Sequence, residues 1–241
     1  MKLNENTLSR VHPAAEMHAK EFSEGKLSRR EFLTRATALG VATTTAYGLI
    51  GTTAPAYAGG HAKMGGTMRI QQEVRALKDP RTWDWGQIAN YARGTLEYLV
   101  QYNNDGTFTP MLLEGWEVND DATQYTLRVR PGVTWNNGYA FTSADVANNI
   151  ERWCDKDVEA NSMAGRFATL IDPETNKLLE GSMTTPDDLT VVLSLPNPDI
   201  SLIAGMADYP AAIVHSSFDV EDAINSVGTG AFLMTSLEVG V

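Results

Sequence analysis

EYLVQYNNDGTFTPMLLEGWEVNDDATQYTLRVRPGVTWNNGYAFTSADVANNIER, from Glu97 to Arg152, is the best-patterned stretch of the chain. Its first half reads as short strands separated by turns. The polar cluster Asn119-Asp120-Asp121 interrupts two apolar segments. Beyond it, Tyr125, Leu127 and Val129 alternate with Thr126, Arg128 and Arg130, the period-two pattern of a half-buried strand. Pro131-Gly132 and Asn136-Asn137-Gly138 punctuate tight turns. Thr142 with Asp145 outlines a capping box, Asp standing in for the usual Glu, and the helix it opens carries Val146, Ile150 and Trp153 at i, i+4 and i+7. The stretch predicts a hairpin feeding a capped helix, with Trp116, Trp135 and Trp153 in its core. It holds no catalytic constellation.

Working outward, the flanks carry weaker patterns. Thr67 to Glu73 alternates, with Met68 and Ile70 on one face, and reads as a first strand ended by Asp79-Pro80. Ile88, Ala92, Leu96 and Leu99 predict a helix from Ile88 to Val100. On the other side, Arg166 to Leu170 suggests a helical turn. Leu189, Val191, Leu193 and Leu195 share one face of a strand stopped by Pro196-Asn197-Pro198. Asp199 is placed to cap a short helix containing Ile200, Ile203 and Met206. Ala211 to Val214 is a short buried run, Asp219 to Asn225 a further helical turn, and Ala231 to Met234 a last strand.

Composition bounds the function. The chain has 241 residues, 43% hydrophobic and 20% charged, an ordinary globular balance. Of its 19 Lys/Arg and 30 Asp/Glu, seven and five lie in residues 1–58, leaving 12 and 25 in the rest, a net of −13. So acidic a body argues against nucleic acid as a partner, because phosphate contacts need Lys and Arg. Cys154 is the single cysteine, which excludes an intrachain disulfide and a thiolate metal site.

Residues 1–58 read as an address. A polar, basic zone to Arg35 is followed by Ala36 to Gly60, which has no charged residue, and Ala56-Tyr57-Ala58 offers a small-x-small cleavage site. The boundary reads Ser28-Arg29-Arg30-Glu31-Phe32-Leu33, which resembles the twin-arginine export motif in Ser28, Arg29, Arg30, Phe32 and Leu33. Six threonines dilute the apolar zone, in keeping with that class of signal. The expectation is cleavage after Ala58, a mature chain from Gly59, and delivery to the periplasm. A retained membrane anchor is the competing reading, since the segment is long enough to span a bilayer of ~30 Å.

LEYLVQYNNDGTFTPMLLEGWEV, YTLRVRPGVTWNNGYAFTSADVANNIERW and VGTGAFLM together resemble the family-5 extracytoplasmic solute-binding proteins, the peptide/nickel class that serves ABC importers. Ala231 stands where proline is usual and Asn137 where Asp is usual. The resemblance implies a mixed α/β fold of the type II periplasmic-binding-protein kind, two lobes closing over a ligand. On that map residues 59–79 and 226–241 belong to the first lobe, and residues 80–225 form a subdomain inserted into it. Family members are about twice this length, so the second lobe is expected to be missing and the chain to hold one wall of the cleft, too little to bind ligand alone.

No enzyme signature is present. His61 and His215 form no metal-binding pair, and Gly228-Thr229-Gly230 is too short to cradle a phosphate and lacks a following Lys. Neither a cofactor nor a metal is expected. Binding remains, and pockets are lined by aromatics with a few placed polar groups. Trp83, Trp85, Tyr91 and Arg93 lie where the family chain enters its cleft; Arg93 would suit a ligand carboxylate. Thr229 and Gly230 lie near the same cleft. The plainer alternatives are that the tryptophans pack, that Arg93 is a surface residue, and that Thr229-Gly230 is a tight turn needing positive φ. The partners implied are a peptide or other small solute, an ABC permease and, during export, the twin-arginine translocase. An exported twin-arginine-dependent enzyme or cofactor protein is the runner-up.

Overall fold

A computed structural model describes residues 11–55 and 65–239 of the chain. Helices α1 (Pro13–Ser23), α2 (Arg29–Ala38) and α3 (Thr43–Leu49) come first, then a 3-10 turn (Pro80–Thr82) and helix α4 (Gly86–Ala92). Strands β1 (Val100–Tyr102) and β2 (Phe108–Pro110) form a hairpin. Strands β3 (Leu113–Val118) and β4 (Gln124–Val129) lead to helix α5 (Ser143–Cys154) and a short helix α6 (Met163–Arg166). Strands β5 (Met183–Asp187) and β6 (Thr190–Ser194) and a short helix α7 (Leu202–Met206) follow, with 3-10 turns at Ala168–Leu170 and Val220–Asn225. The fold is mixed α/β, as expected.

The main sheet has the antiparallel order β3-β4-β6-β5. Of its two central strands, β4 carries the clearest alternation: Tyr125, Leu127 and Val129 are buried, and Tyr125 and Leu127 pair with Leu193 and Val191 of β6. Strand β3 departs from period two. Its register slips between Leu113 and Gly115, so both Leu113 and Trp116, three residues apart, reach the core. Helix α5 buries Val146, Ile150 and Trp153, and the Asp145 carboxylate accepts a hydrogen bond of 2.8 Å from the Thr142 backbone N–H, the reciprocal half of a capping box. Asn149 lies on the same buried face. Its side-chain amide brackets Val214, taking the Val214 N–H at 3.0 Å and giving one N–H to the Val214 carbonyl at 2.9 Å. That clamp fixes the buried run Ala211 to Val214 against the helix.

Several expected elements differ. Thr67 to Glu73 and Ala231 to Met234 form no strand; Met68 and Ile70 are 84% and 75% exposed and Phe232 is 71% exposed. The alternation is present in both, but a strand exists only as part of a ladder, and no described strand pairs with either. The helix expected to run to Val100 stops at Ala92. Gly94 interrupts it, and Leu96 and Leu99 reach the core from a connecting segment instead. In α7, Ile203 and Met206 are buried but Ile200 is 51% exposed, because the helix starts later than expected: Ser201, not Asp199, is its N-cap, and the Asp199 carboxylate accepts from the Ser201 N–H at 2.8 Å in the turn before it, leaving Ile200 outside the helix.

The N-terminal segment folds as a unit. Phe32, Leu33, Ala36, Leu39, Ala46 and Tyr47 form a core of their own. Ser28 caps α2: its hydroxyl accepts from the Glu31 N–H at 3.2 Å, while the Glu31 carboxylate accepts from the Ser28 N–H at 2.8 Å. Among the described residues no helix is long and apolar enough to cross a membrane. Ala56 and Ala58, the expected cleavage positions, lie outside the described residues.

Asp79 ties the approach to α4 onto α5. Its carboxylate takes Arg81 at 2.7 Å and Arg152 at 2.8 Å. Burial alone would raise its pKa; the hydrogen bond from Arg81 and the two guanidinium charges outweigh that and hold it below the ordinary 3.8. A carboxylate with a lowered folded pKa adds stability above its unfolded pKa and loses it as pH falls through the folded one. Asp79→Asn is therefore expected to cost about 1–3 kcal/mol at neutral pH, less than a wholly buried pair would. In urea titrations at several pH values, the gap between the two proteins should be constant above pH 3.8 and narrow below it. A gap that widens in acid would refute the assignment.

Candidate functional site

Four of the expected ligand residues fall on one short stretch. Trp83 precedes α4, Trp85 stands at its N-terminal cap, Tyr91 lies on it and Arg93 caps its C-terminus. They do not form a single pocket. Trp83 is only 1% exposed, and its indole N–H donates to the Lys78 carbonyl at 2.9 Å, so it offers no surface to a ligand. It belongs to the packing, in the same buried core as Ile88, Ala92 and Leu96.

Trp85 and Tyr91 are half-buried and share Arg75. The Arg75 guanidinium sits 4.2 Å from the centre of the Trp85 ring, and the Tyr91 hydroxyl donates to the Arg75 carbonyl at 2.6 Å. Burial raises the pKa of Tyr91, which keeps it a neutral donor. Arg75 was not foreseen from sequence. It sits in an irregular segment with no pattern of its own, and only the fold brings it over α4.

Arg93 is exposed, with its guanidinium 5.2 Å from the centre of the Tyr98 ring. It lines a groove of about 400 Å³ with Tyr98, Tyr102, Met111, Asp208 and Tyr209. Asp208 is already engaged by Arg166, and the Tyr98 hydroxyl donates to the Tyr209 carbonyl at 2.9 Å. What remains at this groove is a cation on an aromatic floor, a chemistry suited to a carboxylate or another anionic group.

Thr229 and Gly230 run alongside the turn that follows α4. The Gly230 and Phe232 N–H groups donate to the Thr95 and Gly94 carbonyls, each at 2.9 Å, and the Asn136 N–H donates to the Gly228 carbonyl at 2.9 Å. The positive-φ turn entertained for this segment is not what the glycines serve, since neither Gly228 nor Gly230 adopts positive φ. They are needed for close approach. A Cβ on Gly228 would lie 2.1 Å from the Thr95 carbonyl oxygen, and one on Gly230 would lie 2.4 Å from that of Gly94. The hydroxyls of Thr229 and Ser226, and the indole N–H of Trp135, are buried with no hydrogen-bond partner among the described residues. Asn136 carries Trp135 to the same segment, so the three groups belong to one neighbourhood.

Nucleophilic and metal chemistry have little to draw on in the described residues. Cys154 is buried, its thiol pushed up to about 12 by loss of solvation. No group of three or more His, Cys, Asp or Glu is arranged to hold a metal ion among the described residues.

The sequence model described as bacterial extracellular solute-binding proteins, family 5 (middle) matches residues 107–241. The chain belongs to this family. The match takes in the β2 strand, the whole main sheet, α5 and the 226–232 segment beside Thr95. The family-5 chain is 25% identical over 132 residues to a probable peptide ABC transporter periplasmic-binding protein of Sinorhizobium fredii, covering 55% of this chain and 22% of the relative. It is 25% identical to the dipeptide-binding protein of Escherichia coli, covering 63% and 30%. Among solved structures, a clavulanic acid biosynthesis oligopeptide binding protein superposes with a TM-score of 0.58 at 25% identity, over 69% of this chain and 34% of that one. Haemophilus influenzae OppA in complex with RPPGFSPFR superposes with a TM-score of 0.58 at 24% identity, over 69% and 35%. The chain thus spans between a fifth and about a third of the lengths of these relatives.

Proposed function

We propose that the chain is the solute-capturing component of an ABC importer, taking a peptide or a related small solute in the periplasm and delivering it to a membrane permease. The family match over residues 107–241 carries this reading. Relatives described as peptide-binding periplasmic proteins supply the solute class. In this reading residues 59–79 and 226–241 are parts of the first lobe and residues 80–225 are its inserted subdomain. Trp85, Tyr91, Arg93, Thr229 and Gly230 lie on the wall that faces solute; Arg93, stacked on Tyr98, takes the solute's anionic group. Binding rather than catalysis is the task, and no cofactor is required.

The test is to isolate from the periplasm the protein that carries this chain together with the rest of its cleft, denature it, and identify released small molecules by mass spectrometry. A panel of di- to nonapeptides is then screened by thermal shift. A stoichiometric peptide or small solute, and a raised Tm with its chemical class, are expected. No released solute and no shift across the panel would contradict the reading.

Export by the twin-arginine route is the second part of the proposal, carried by Ser28, Arg29, Arg30, Phe32 and Leu33 ahead of an uncharged segment. Arg29→Lys with Arg30→Lys keeps the charge and the Ser28–Glu31 cap. The doubly substituted protein is expected to remain in the cytoplasm in cell fractionation. Undiminished periplasmic protein would contradict this route.

A further inference from the structure

Residues 11–55 do more than precede the body of the protein; they are seated on it. The receiving face is the β1–β2 hairpin with the adjoining edge of β3. Arg30 donates to the Tyr102 hydroxyl at 3.0 Å with its guanidinium over the Tyr102 ring. The Thr34 hydroxyl donates to the Gly106 carbonyl at 2.7 Å at the hairpin tip, and the Tyr47 hydroxyl donates to the Asp105 carboxylate at 2.7 Å. Deeper in, the Phe108 N–H donates to the buried Thr37 hydroxyl at 3.0 Å, and the Trp116 indole N–H donates to the Ala38 carbonyl at 3.2 Å. At the far edge a ring nitrogen of His12 meets the Asn119 carbonyl at 2.9 Å.

Two features make this face fitted to its occupant. Gly106 has φ of +92°, and a Cβ there would lie 2.6 Å from Cγ of Arg30, so the hairpin tip has room for that side chain only because it is glycine. The contacts are also specific in kind: a hydroxyl for each of two carbonyl or carboxylate acceptors, a tyrosine for an arginine, and an indole N–H for the last carbonyls of α2. Meanwhile Phe32 and Leu33, the apolar half of the Ser28–Leu33 motif, are 0% and 1% exposed.

We infer that the β1–β2 hairpin and the β3 edge form a docking surface for the chain's own N-terminal helices. The docked unit keeps Phe32 and Leu33 in its own core while leaving Arg29 and Arg30 at the surface, so any partner that reads the whole motif must open this helical unit as well as lift it from the body. The geometric part of this inference stands without the export reading; its consequence for export rests on it.

The experiment is limited trypsin digestion of the full chain under native conditions, following cleavage after Arg29, Arg30 and Arg35 by mass spectrometry. A synthetic peptide of residues 11–55 gives the undocked rate. Proteolysis needs a locally unfolded segment, so the full chain is expected to be cut roughly tenfold or more slowly than the peptide. Tyr102→Ala, at a position 44% exposed, removes the Arg30 contacts from the receiving side and should accelerate cutting several-fold, roughly, with only a small fall in the Tm of the body from the lost Tyr102–Phe108 ring contact. Gly106→Ala should also accelerate cutting, here with a lowered Tm, because alanine is strained at that positive φ. Cleavage of the full chain at the peptide's rate, or wild-type protection retained in both variants, would overturn docking. A protected segment whose Arg29→Lys, Arg30→Lys form is still exported would leave docking intact and remove the export reading instead.

Discussion

Asn149→Ala is expected to cost about 3 kcal/mol or more, while Asn148→Ala next to it should cost under about 0.5 kcal/mol. The difference follows from what each amide touches. Asn149 is wholly buried, and its truncation strands both the N–H and the carbonyl of Val214 in the core, as well as removing the bond its Nδ2 gives to the Asp145 carbonyl at 2.9 Å. A buried backbone group left without a partner costs about 1–3 kcal/mol, and here there are two. Asn148 lines an open surface depression and holds no such clamp. Urea unfolding of the two variants gives the comparison directly. Equal costs would show that the 211–214 run is held by apolar packing alone.

Gly228→Ala should be the second large effect. The added methyl would meet the Thr95 carbonyl oxygen at 2.1 Å, a backbone atom that cannot rotate away. The expected cost is about 3 kcal/mol, the upper end of overpacking penalties. The 226–232 segment should then leave Gly94 and Thr95, so hydrogen exchange at the Gly230 and Phe232 amides should rise to the rate of an open loop. Gly165→Ala is the control. Nothing lies within 4 Å of that position, and it sits in α6, where alanine is tolerated or mildly stabilising. Retained protection at Gly230 in Gly228→Ala would mean that the segment is not seated as described.

Much of the central unit was legible because its elements are local. Tyr125, Leu127 and Val129 alternate and are buried; Val146, Ile150 and Trp153 recur at helical spacing and are buried. Asn149 sits on that same stripe, so its burial was readable too, although an amide there is easily passed over as a surface residue. The β3 register slip was not readable, since Leu113 and Trp116 stand three apart, a spacing foreign to a strand, and only pairing with β4 resolves them. Thr67 to Glu73 and Ala231 to Met234 show the converse failure: alternation tells which face would be buried, not whether a neighbouring strand exists.

The N-terminus and the candidate wall show how one sequence feature serves two readings. Ser28 and Glu31 stand three apart ahead of an apolar run, the signature of a capping box, yet the paired arginines between them drew the reading toward export alone. At the wall, the stretch from Trp83 to Arg93 was found, but its tertiary sorting was not. Trp83 packs inward, Trp85 and Tyr91 turn to Arg75, and Arg93 turns to Tyr98. Those partners are fixed by contacts between segments that no local pattern encodes. The glycines of the 226–230 segment were noticed for the conformation they allow, whereas their use is the room they leave for a neighbouring carbonyl.

The direct test of the proposed solute wall is an equilibrium titration of the solute released from the periplasmic protein against wild type and Arg93→Ala. Arg93 is exposed and makes no salt bridge among the described residues, so its removal gives up only the stacking on Tyr98, about 0.5–1 kcal/mol, and should leave the Tm nearly unchanged. If it holds the solute's anionic group, the Kd should rise roughly tenfold to a hundredfold, the worth of one charge-assisted contact of about 1.5–3 kcal/mol. An unchanged Kd with an unchanged Tm would contradict the assignment of this wall to solute.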